Sequence, residues 1–231
     1  MIPKLIHQIW LGDVPMHPLM VLWREKWKSL HPNWKVLLWE SRSNSVSSVQ
    51  SDLNGGTVVS ASPQHVEMLV RSCHLSQRSN IWRYLLMKQF GGVYADTDVE
   101  PYKPIDNLVG GLTAFVTVTK DANRKHESSF FGGIPNQSWL IHLVDELKNR
   151  SPEETLSMGT GHLTLITRRH PEVSMLPVGS ILLPEPSDWN AAKKAAKVPD
   201  VVSINGVPDT AYAIHHWSSL WFSGSLKPLK L

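Results

Sequence analysis

Hydrophobic positions follow a strand period and a helix period in turn along the chain. The β-prone run Leu5 to Trp10 ends at the turn Gly12-Asp13 and predicts a first strand. Apolar residues then recur every three or four positions from Leu19 to Leu30, which predicts an amphipathic helix. His31-Pro32-Asn33 ends that pattern before a second predicted strand, Trp34 to Glu40. A strand, a helix and a strand in this order are typical of a parallel sheet.

The remainder of the chain continues this alternation. The Ser-rich stretch Ser41 to Ser51 predicts an exposed loop, and helices are predicted over Pro63 to Arg71 and Ser76 to Phe90. The second helix ends at Gly91-Gly92, where glycine adopts left-handed geometry at low cost, and a short strand over Val93 to Asp98 follows. The later predicted elements are strands over Leu112 to Val118 and around Phe130-Phe131, helices over Ser138 to Asn149 and His162 to Arg169, and strands over Val173 to Leu183, Val201 to Ile204 and Ala211 to Trp217.

Composition limits the class of protein. The 231 residues are 42% hydrophobic and 19% charged, which predicts one globular domain with a substantial core, and no internal repeat is evident. A net charge of +3 is too small for a nucleic-acid-binding stripe but is compatible with phosphate-bearing small molecules. The single Cys73 cannot form an internal disulfide, and the first residues lead directly into a strand pattern. We therefore expect a cytoplasmic protein without an integral membrane segment, in which the tail around Trp221-Phe222 makes at most weak peripheral membrane contact.

Two carboxylates stand together at the end of the predicted strand Val93 to Asp98. Asp96 and Asp98 are two positions apart, and side chains with this spacing on a strand point to the same side. Two like charges about 4 Å apart repel by about 4 kcal/mol at an effective dielectric of about 20, so a strand that keeps both usually binds a cation. Oxygen ligands favour Mg²⁺ or Mn²⁺. A solvated turn explains the same pair, but Arg83 on the preceding helix favours a ligand site.

Two longer strings, Ser79 to Tyr84 and Phe90 to Asp98, resemble the DXD-containing glycosyltransferases of family 32. That family includes yeast-type mannosyltransferases, bacterial capsular-polysaccharide transferases and, more distantly, the clostridial glucosylating toxins. Further matching blocks, in the family's order, are Ile2 to Trp10, Pro32 to Val36 and Ala213 to Trp217. The resemblance implies a single α/β domain over residues 1–231, of GT-A type and Rossmann-like, with a central mixed, mostly parallel sheet.

The resemblance also implies an activity. It is the retaining transfer of a sugar from a UDP- or GDP-linked donor to an acceptor hydroxyl of a glycan, a lipid-linked molecule or a protein, dependent on Mn²⁺ or Mg²⁺. Carried over by position, Asp98 binds the metal, while Asp96 reaches the donor and the metal's water shell. Arg83 contacts the donor sugar or diphosphate. Adjacent strand residues face opposite sides, so only one of His215 and His216 points inward, and we assign His216 to the metal or diphosphate site.

Four further residues complete the predicted donor site. Trp10 stacks on the nucleotide base, Trp221 closes over the donor, and Tyr84 and Asn80 take part in donor binding. Asn80 stands where the family usually has aspartate, and it keeps hydrogen-bonding capacity without the charge. Leu220 replaces a serine that relatives often carry. Core packing of Trp10, a surface position for Arg83 and a packed tail at Trp221 are the alternative interpretations.

Two other functions stay open at this point. One is a phosphohydrolase in which Asp96 attacks phosphate and Asp98 acts as the acid, although such nucleophiles normally follow the first strand of their fold. The other is a non-catalytic module that binds a nucleotide sugar, which the departures at Asn80 and Leu220 suggest. No second pair of carboxylates resembles the acid and base of a glycosidase, so attack by water is not expected.

Overall fold

The computed structural model describes residues 1–41, 45–53, 55–72, 74–120, 125–151, 158–182 and 207–216. The strands are β1 (Leu5–Trp10), β2 (Lys35–Ser41), β3 (Ser48–Ser51), β4 (Val58–Ser60), β5 (Gly92–Ala95), β6 (Val99–Pro101), β7 (Ala114–Val118), β8 (His126–Gly133), β9 (Ser174–Met175), β10 (Ile181–Leu182) and β11 (Ala213–His215). The helices are α1 (Pro18–Leu30), α2 (Pro63–Arg71), α3 (Leu75–Phe90), α4 (Asp106–Val109), α5 (Ser138–Asp145) and α6 (Thr160–Thr167). A 3₁₀ turn, Glu146–Asn149, follows α5.

A mixed eight-stranded sheet forms the centre of the molecule, in the order β4-β3-β2-β1-β5-β8-β7-β9. Strand β1 pairs in parallel with both β2 and β5, as the initial strand-helix-strand pattern predicts. The β2-β3-β4 edge and the β5-β8-β7 ladder are antiparallel. The predicted α/β class with a mixed sheet is therefore confirmed, and its parallel pairing is concentrated at the centre.

Alternating side chains on the central strands divide the core between the two faces of the sheet. Tyr94 and Phe131 pack on the face that α2, α3, α5 and α6 cover. Their neighbours Val93 and Phe130 pack on the opposite face, against Trp27 of α1 and residues of a second, smaller sheet. Removing an aromatic side chain of this kind from water contributes on the order of 2 kcal/mol, so both faces fix the position of β5.

Two glycines make the tight connection from α3 to β5. Gly91 and Gly92 have φ angles of 62° and 94°, in the left-handed region that favours glycine. A Cβ atom on Gly92 would lie 2.6 Å from the carbonyl oxygen of Leu5, so only glycine lets β5 approach β1 this closely. The connection sets the start of the strand that leads to the two aspartates.

The smaller sheet joins a late segment of the chain to the end of β5. It has the order β10-β11-β6, with β11 antiparallel to β6 and parallel to β10. His215 of β11 pairs with Val99 of β6, directly after the acid pair. None of the described helices is long and apolar enough to cross a membrane.

Several predicted elements differ from the structure. The loop predicted over Ser41 to Ser51 contains β3, which pairs with β2 as an antiparallel edge strand that its polar sequence did not indicate. The helix predicted to end at Asn149 changes to 3₁₀ geometry after Asp145. Only β9 and β10 form within the strand predicted over Val173 to Leu183. The strand predicted over Val201 to Ile204 lies outside the described residues.

Candidate active site

The two aspartates lie in a turn between the two sheets, not on a continuing strand. Strand β5 ends at Ala95, and the N–H of Val99 donates to the carbonyl oxygen of Asp96 at 3.0 Å, which closes the turn. The prediction that strand alternation aligns the two side chains is therefore wrong. The tight turn brings them to the same place instead, and the main-chain N–H of Asp96 donates to Ser129 of β8 at 2.9 Å.

His215 completes a group of three side chains that could hold a metal ion. One ligand atom from each of Asp96, Asp98 and His215 lies within 4.8 Å of the others. The Nε2 atom of His215 is 3.3 Å from Oδ1 of Asp98 and 3.9 Å from Oδ2 of Asp96. All three side chains are largely buried. Two carboxylates and an imidazole are a donor set suited to Mn²⁺ or Mg²⁺, so these residues fit the divalent metal that the sequence predicts.

The assignment of His216 to the metal is corrected by the structure. His216 faces the other side of the chain, where its Nε2 is 3.0 Å from Oε2 of Glu100 and its ring stacks on Trp23. Its main-chain N–H donates to the carbonyl oxygen of Asp98 at 3.0 Å. The alternation argument was sound, since one of the two histidines does point inward, but the residue is His215.

The electrostatics of the group couple metal binding to the loss of a proton from His215. Burial would lower the pKa of His215, but the adjacent carboxylates of Asp98 and Asp96 raise it to about 9. Burial raises the pKa of Asp96, and the charge of Asp98 adds to this effect while Arg83 opposes it. The imidazolium of His215 thus balances the acid pair in the absence of metal, and a bound metal would replace that proton.

Arg83 forms an ion pair with Asp96. Its guanidinium is buried, with one amino group donating to the carbonyl oxygen of Ser128 at 2.7 Å and the other 3.2 Å from Oδ1 of Asp96. It also lies 4.6 Å from the ring centre of Tyr94, whose hydroxyl donates to the same Asp96 oxygen at 2.6 Å. The surface interpretation of Arg83 is wrong. Tyr94, which the sequence analysis did not assign to the site, is the second group that orients this carboxylate.

Tyr84 and Asn80 have different surroundings although both lie on α3. Tyr84 is fully buried against Phe131, and its hydroxyl donates to the carbonyl oxygen of Gly159 at 3.3 Å. The structure therefore places Tyr84 in the core, not at the donor site, because this side chain faces the sheet. Asn80 is 8% exposed and lies beside Gly159, where a Cβ would be 3.4 Å from Nδ2 of Asn80, an ordinary contact distance.

Of the two tryptophans predicted to contact the donor, the structure describes Trp10 only. Trp10 is buried with Met20 and Trp23, and its indole N–H donates to the carbonyl oxygen of Val14 at 2.7 Å. Its ring thus has the core contacts of the alternative interpretation, and stacking on a base stays a prediction. Trp221 and Leu220 lie outside the described residues.

Glu127 is a buried carboxylate near the site that the sequence analysis missed. It lies on β8, where the pairing with β7 shifts register between Val116 and Thr117, so that extra residues of β8 bulge beside Asp96. Glu127 is 3% exposed, and burial raises its pKa while His215 opposes that shift. The only sequence signal was a polar Glu127-Ser128-Ser129 run directly before an apolar strand.

Comparisons with known proteins agree with this geometry. A family model described as a glycosyltransferase sugar-binding region containing a DXD motif matches residues 20–114, which include Arg83, Asp96 and Asp98. The mannosyl phosphorylinositol ceramide synthase SUR1 of Saccharomyces cerevisiae is 25% identical over 174 residues, or 71% of this chain and 41% of the relative. The inositol phosphoceramide mannosyltransferase 1 of Schizosaccharomyces pombe is 23% identical over 63% of this chain and 43% of its own length. The chain thus spans about two-fifths of these curated relatives.

A solved structure shares the fold. The PaToxG glycosyltransferase superposes with a TM-score of 0.58 at 14% identity, covering 84% of this chain and 74% of that structure. Together, the sheet order and this superposition show a GT-A fold, and the acid pair in its turn lies within the region that is similar to glycosyltransferases of the DXD type. The chain is similar to glycosyltransferases of family 32, among them the two yeast mannosyltransferases.

Proposed function

We propose that this chain transfers a hexose, with retention of configuration, from a nucleotide diphosphate sugar to an acceptor hydroxyl, with a divalent metal bound at Asp96, Asp98 and His215. The observation that carries the proposal is the convergence of these three side chains within 4.8 Å at the end of β5. Ligands of open α/β sheets bind at the carboxyl ends of the strands, which is where this group lies.

A bound divalent cation would neutralise the negative charge that gathers on the departing diphosphate. Asp96 and Asp98 would hold it through carboxylate oxygens and His215 through Nε2 after this ring has lost its proton. Arg83 and Tyr94 keep the Asp96 carboxylate in one orientation, because each contacts its Oδ1 atom. Because Arg83, Tyr94 and Asp96 are buried and hydrogen-bonded to one another, these side chains would move little as negative charge develops on the diphosphate. Groups that are already oriented in this way stabilise such charge more strongly than water does.

The acceptor and the hexose are proposed from the relatives. Both yeast proteins carry names that refer to mannosyl transfer onto an inositol phosphoceramide. We therefore expect GDP-mannose to be the first donor to test and a glycolipid hydroxyl to be the first acceptor. A glycan or protein acceptor and a UDP-linked donor are the alternatives, and a cytoplasmic location stays a prediction.

A donor panel tests the proposal. The protein is incubated with GDP-mannose, UDP-glucose or UDP-galactose and Mn²⁺, and free nucleotide is measured with and without a chelator. We expect metal-dependent release from one donor class, and a loss of at least about 100-fold in Asp98→Ala. Glu67→Gln, an exposed change on α2, is the matched control. Release that is unchanged by the chelator, or an active Asp98→Ala variant, would refute the assignment.

A further inference from the structure

Two histidines contact each other on the helical layer of the protein, outside the candidate active site. His142 lies on α5 and His170 follows α6, and Nδ1 of His142 is 2.8 Å from Nε2 of His170. The centres of the two rings are 4.9 Å apart. A single proton thus lies between two nitrogen atoms, each of which is a metal ligand once it has a free lone pair.

Glu172 holds the ring of His170 in one orientation. Its Oε1 is 2.7 Å from Nδ1 of His170 and also accepts from the hydroxyl of Ser138 at 3.3 Å. The hydrogen bond from His170 lowers the pKa of Glu172, so this carboxylate is ionised near neutral pH and can only accept. Nδ1 of His170 therefore carries a proton, and Nε2 of the neutral ring directs its lone pair at His142. A carboxylate that fixes a histidine tautomer in this way usually accompanies a metal-binding histidine.

The histidine pair lies towards the edge of the sheet opposite to the acid pair. Helix α5 begins at Ser138, shortly after Gly133, which pairs with Gly92 at the start of β5. Asp96 instead follows the other end of that strand. The two histidines are therefore separate from the group of three side chains that could hold the metal of the proposed function.

The separation of the two nitrogens is close to the one that a shared metal ion requires. With metal–nitrogen bonds of about 2.0–2.1 Å and tetrahedral angles, two imidazole ligands place their nitrogens about 3.3 Å apart. The rings would thus move apart by about 0.5 Å, and His142 is exposed and free to do so, whereas His170 is 7% exposed. The proton on Nδ1 of His142 would pass to Nε2 of the same ring, so this ligand stays neutral.

We propose that His142 and His170 bind one Zn²⁺ or a similar divalent transition-metal ion, with Glu172 as the positioning residue of His170. Imidazole suits Zn²⁺, Cu²⁺ and Ni²⁺, whereas Mg²⁺ prefers oxygen ligands, so this site and the acid pair differ in selectivity. The ion links α5 to the segment before β9, the last strand of the large sheet, and stabilises the folded state by binding to it. The inference does not depend on the proposed function, because it uses none of its residues.

The number of bound Zn²⁺ ions tests the inference. Wild type, His142→Gln, Asp98→Ala and the double variant are titrated with Zn²⁺ by calorimetry. We expect two ions in wild type, one in each single variant and none in the double variant, because each substitution removes a ligand of a different site. Glu172→Gln should keep the second ion but bind it about tenfold more weakly. His17→Gln, at the start of α1, is the control and should keep both ions.

Each outcome decides the inference. An equal number of ions in His142→Gln and wild type, or an unchanged affinity in Glu172→Gln, would overturn it. A single ion that is lost in His142→Gln but kept in Asp98→Ala would support the inference and count against the metal of the proposed function. If His142→Gln does not fold, thermal unfolding of Asp98→Ala replaces it: Zn²⁺ should raise the melting temperature of this variant and Mg²⁺ should not. Equal shifts with the two ions, or no shift with Zn²⁺, would overturn the inference.

Discussion

The imidazole ring of His216 stacks on the indole of Trp23, with ring centres 4.4 Å apart and planes 5° from parallel. The same imidazole contacts Glu100, which also binds Lys26 of α1. This contact network fixes the end of β11 on the side away from the acid pair. It explains why His215, its neighbour, faces Asp98.

The two adjacent histidines should respond differently to substitution. We expect His215→Ala to weaken Mn²⁺ binding by about 100-fold, since it removes a ligand, and His216→Ala to weaken it by less than about tenfold. His216→Ala should instead lower the free energy of unfolding by about 1–2 kcal/mol, because it removes a stacked ring and a hydrogen bond to Glu100. Calorimetric Mn²⁺ titration and urea unfolding of both variants provide the two readouts. The reverse order of metal affinities would restore His216 as the ligand.

Arg83 should not tolerate replacement by lysine. The guanidinium contacts the Ser128 carbonyl oxygen and Asp96 with two different nitrogens in a fixed fork, and a lysine offers a single nitrogen that does not reproduce this geometry. We expect Arg83→Lys to reduce the turnover number about 100-fold, because the Asp96 carboxylate loses its fixed orientation. Arg71→Lys on the exposed face of α2 is the control for the same chemical change. Turnover in Arg83→Lys equal to that of the control would show that Asp96 needs no such support.

The tight connection at Gly92 should be sensitive to a single methyl group. Gly92 and Gly179 have similar φ angles, 94° and 90°, but a Cβ on Gly92 would clash with Leu5, whereas nothing lies within 4 Å of a Cβ on Gly179. We expect Gly179→Ala to cost about 1 kcal/mol from the backbone alone and Gly92→Ala to cost at least about 3 kcal/mol. Urea unfolding of the pair isolates the steric part of the cost. Equal losses of unfolding free energy in the two variants would show that β1 and β5 can move apart at little cost.

Buried histidines should make the fold sensitive to mild acid. Burial lowers the pKa of His7 to about 4, although its hydrogen bond to the carbonyl oxygen of Gly91 opposes the shift. An unfolded chain binds this proton near pH 6.5, so the stability that His7 provides is complete above pH 6.5 and is lost as the pH falls towards about 4. The loss is on the order of 3 kcal/mol for this residue.

Urea unfolding between pH 7.5 and pH 4 tests this expectation. The decline should begin near pH 6.5, above the range in which ordinary carboxylates titrate. His7→Gln can still accept from the indole of Trp39 and donate to Gly91, so it should retain the fold and flatten the curve. A variant with the same pH dependence as wild type would exclude His7 as a source of the effect.

Local patterns predicted much of the fold, because they depend on residues close together in sequence. The helix over Pro63 to Arg71 and the strand over Leu5 to Trp10 have the predicted bounds, since each carries its own period and its own terminating residues. Strand β3 was missed because its polar sequence forms a strand only through pairing with β2. Tertiary pairing decides such edge strands, and no local signal reports it.

The candidate site also has residues that the local sequence predicted and residues that only the tertiary structure reveals. Arg83 and the acid pair were evident from two strings close together in sequence, and the structure brings Arg83 and Asp96 into contact. The choice between His215 and His216 depended on which side of β11 faces the turn, and only the packing of Trp23 and Glu100 decides that. Glu127 became visible only through a register shift between β7 and β8, which a single sequence does not reveal.

The turn that carries the aspartates lies near the middle of the chain, whereas His215 belongs to β11, one of the last segments described. An ion held by all three would act as a cross-link between these distant segments. Such a link would restrict the unfolded chain, and the ion would bind the folded state alone. Metal occupancy should therefore slow unfolding as well as enable turnover. Loss of the ion would then release β11 from β6 first, and resistance to proteolysis near residue 215 would report how full the site is.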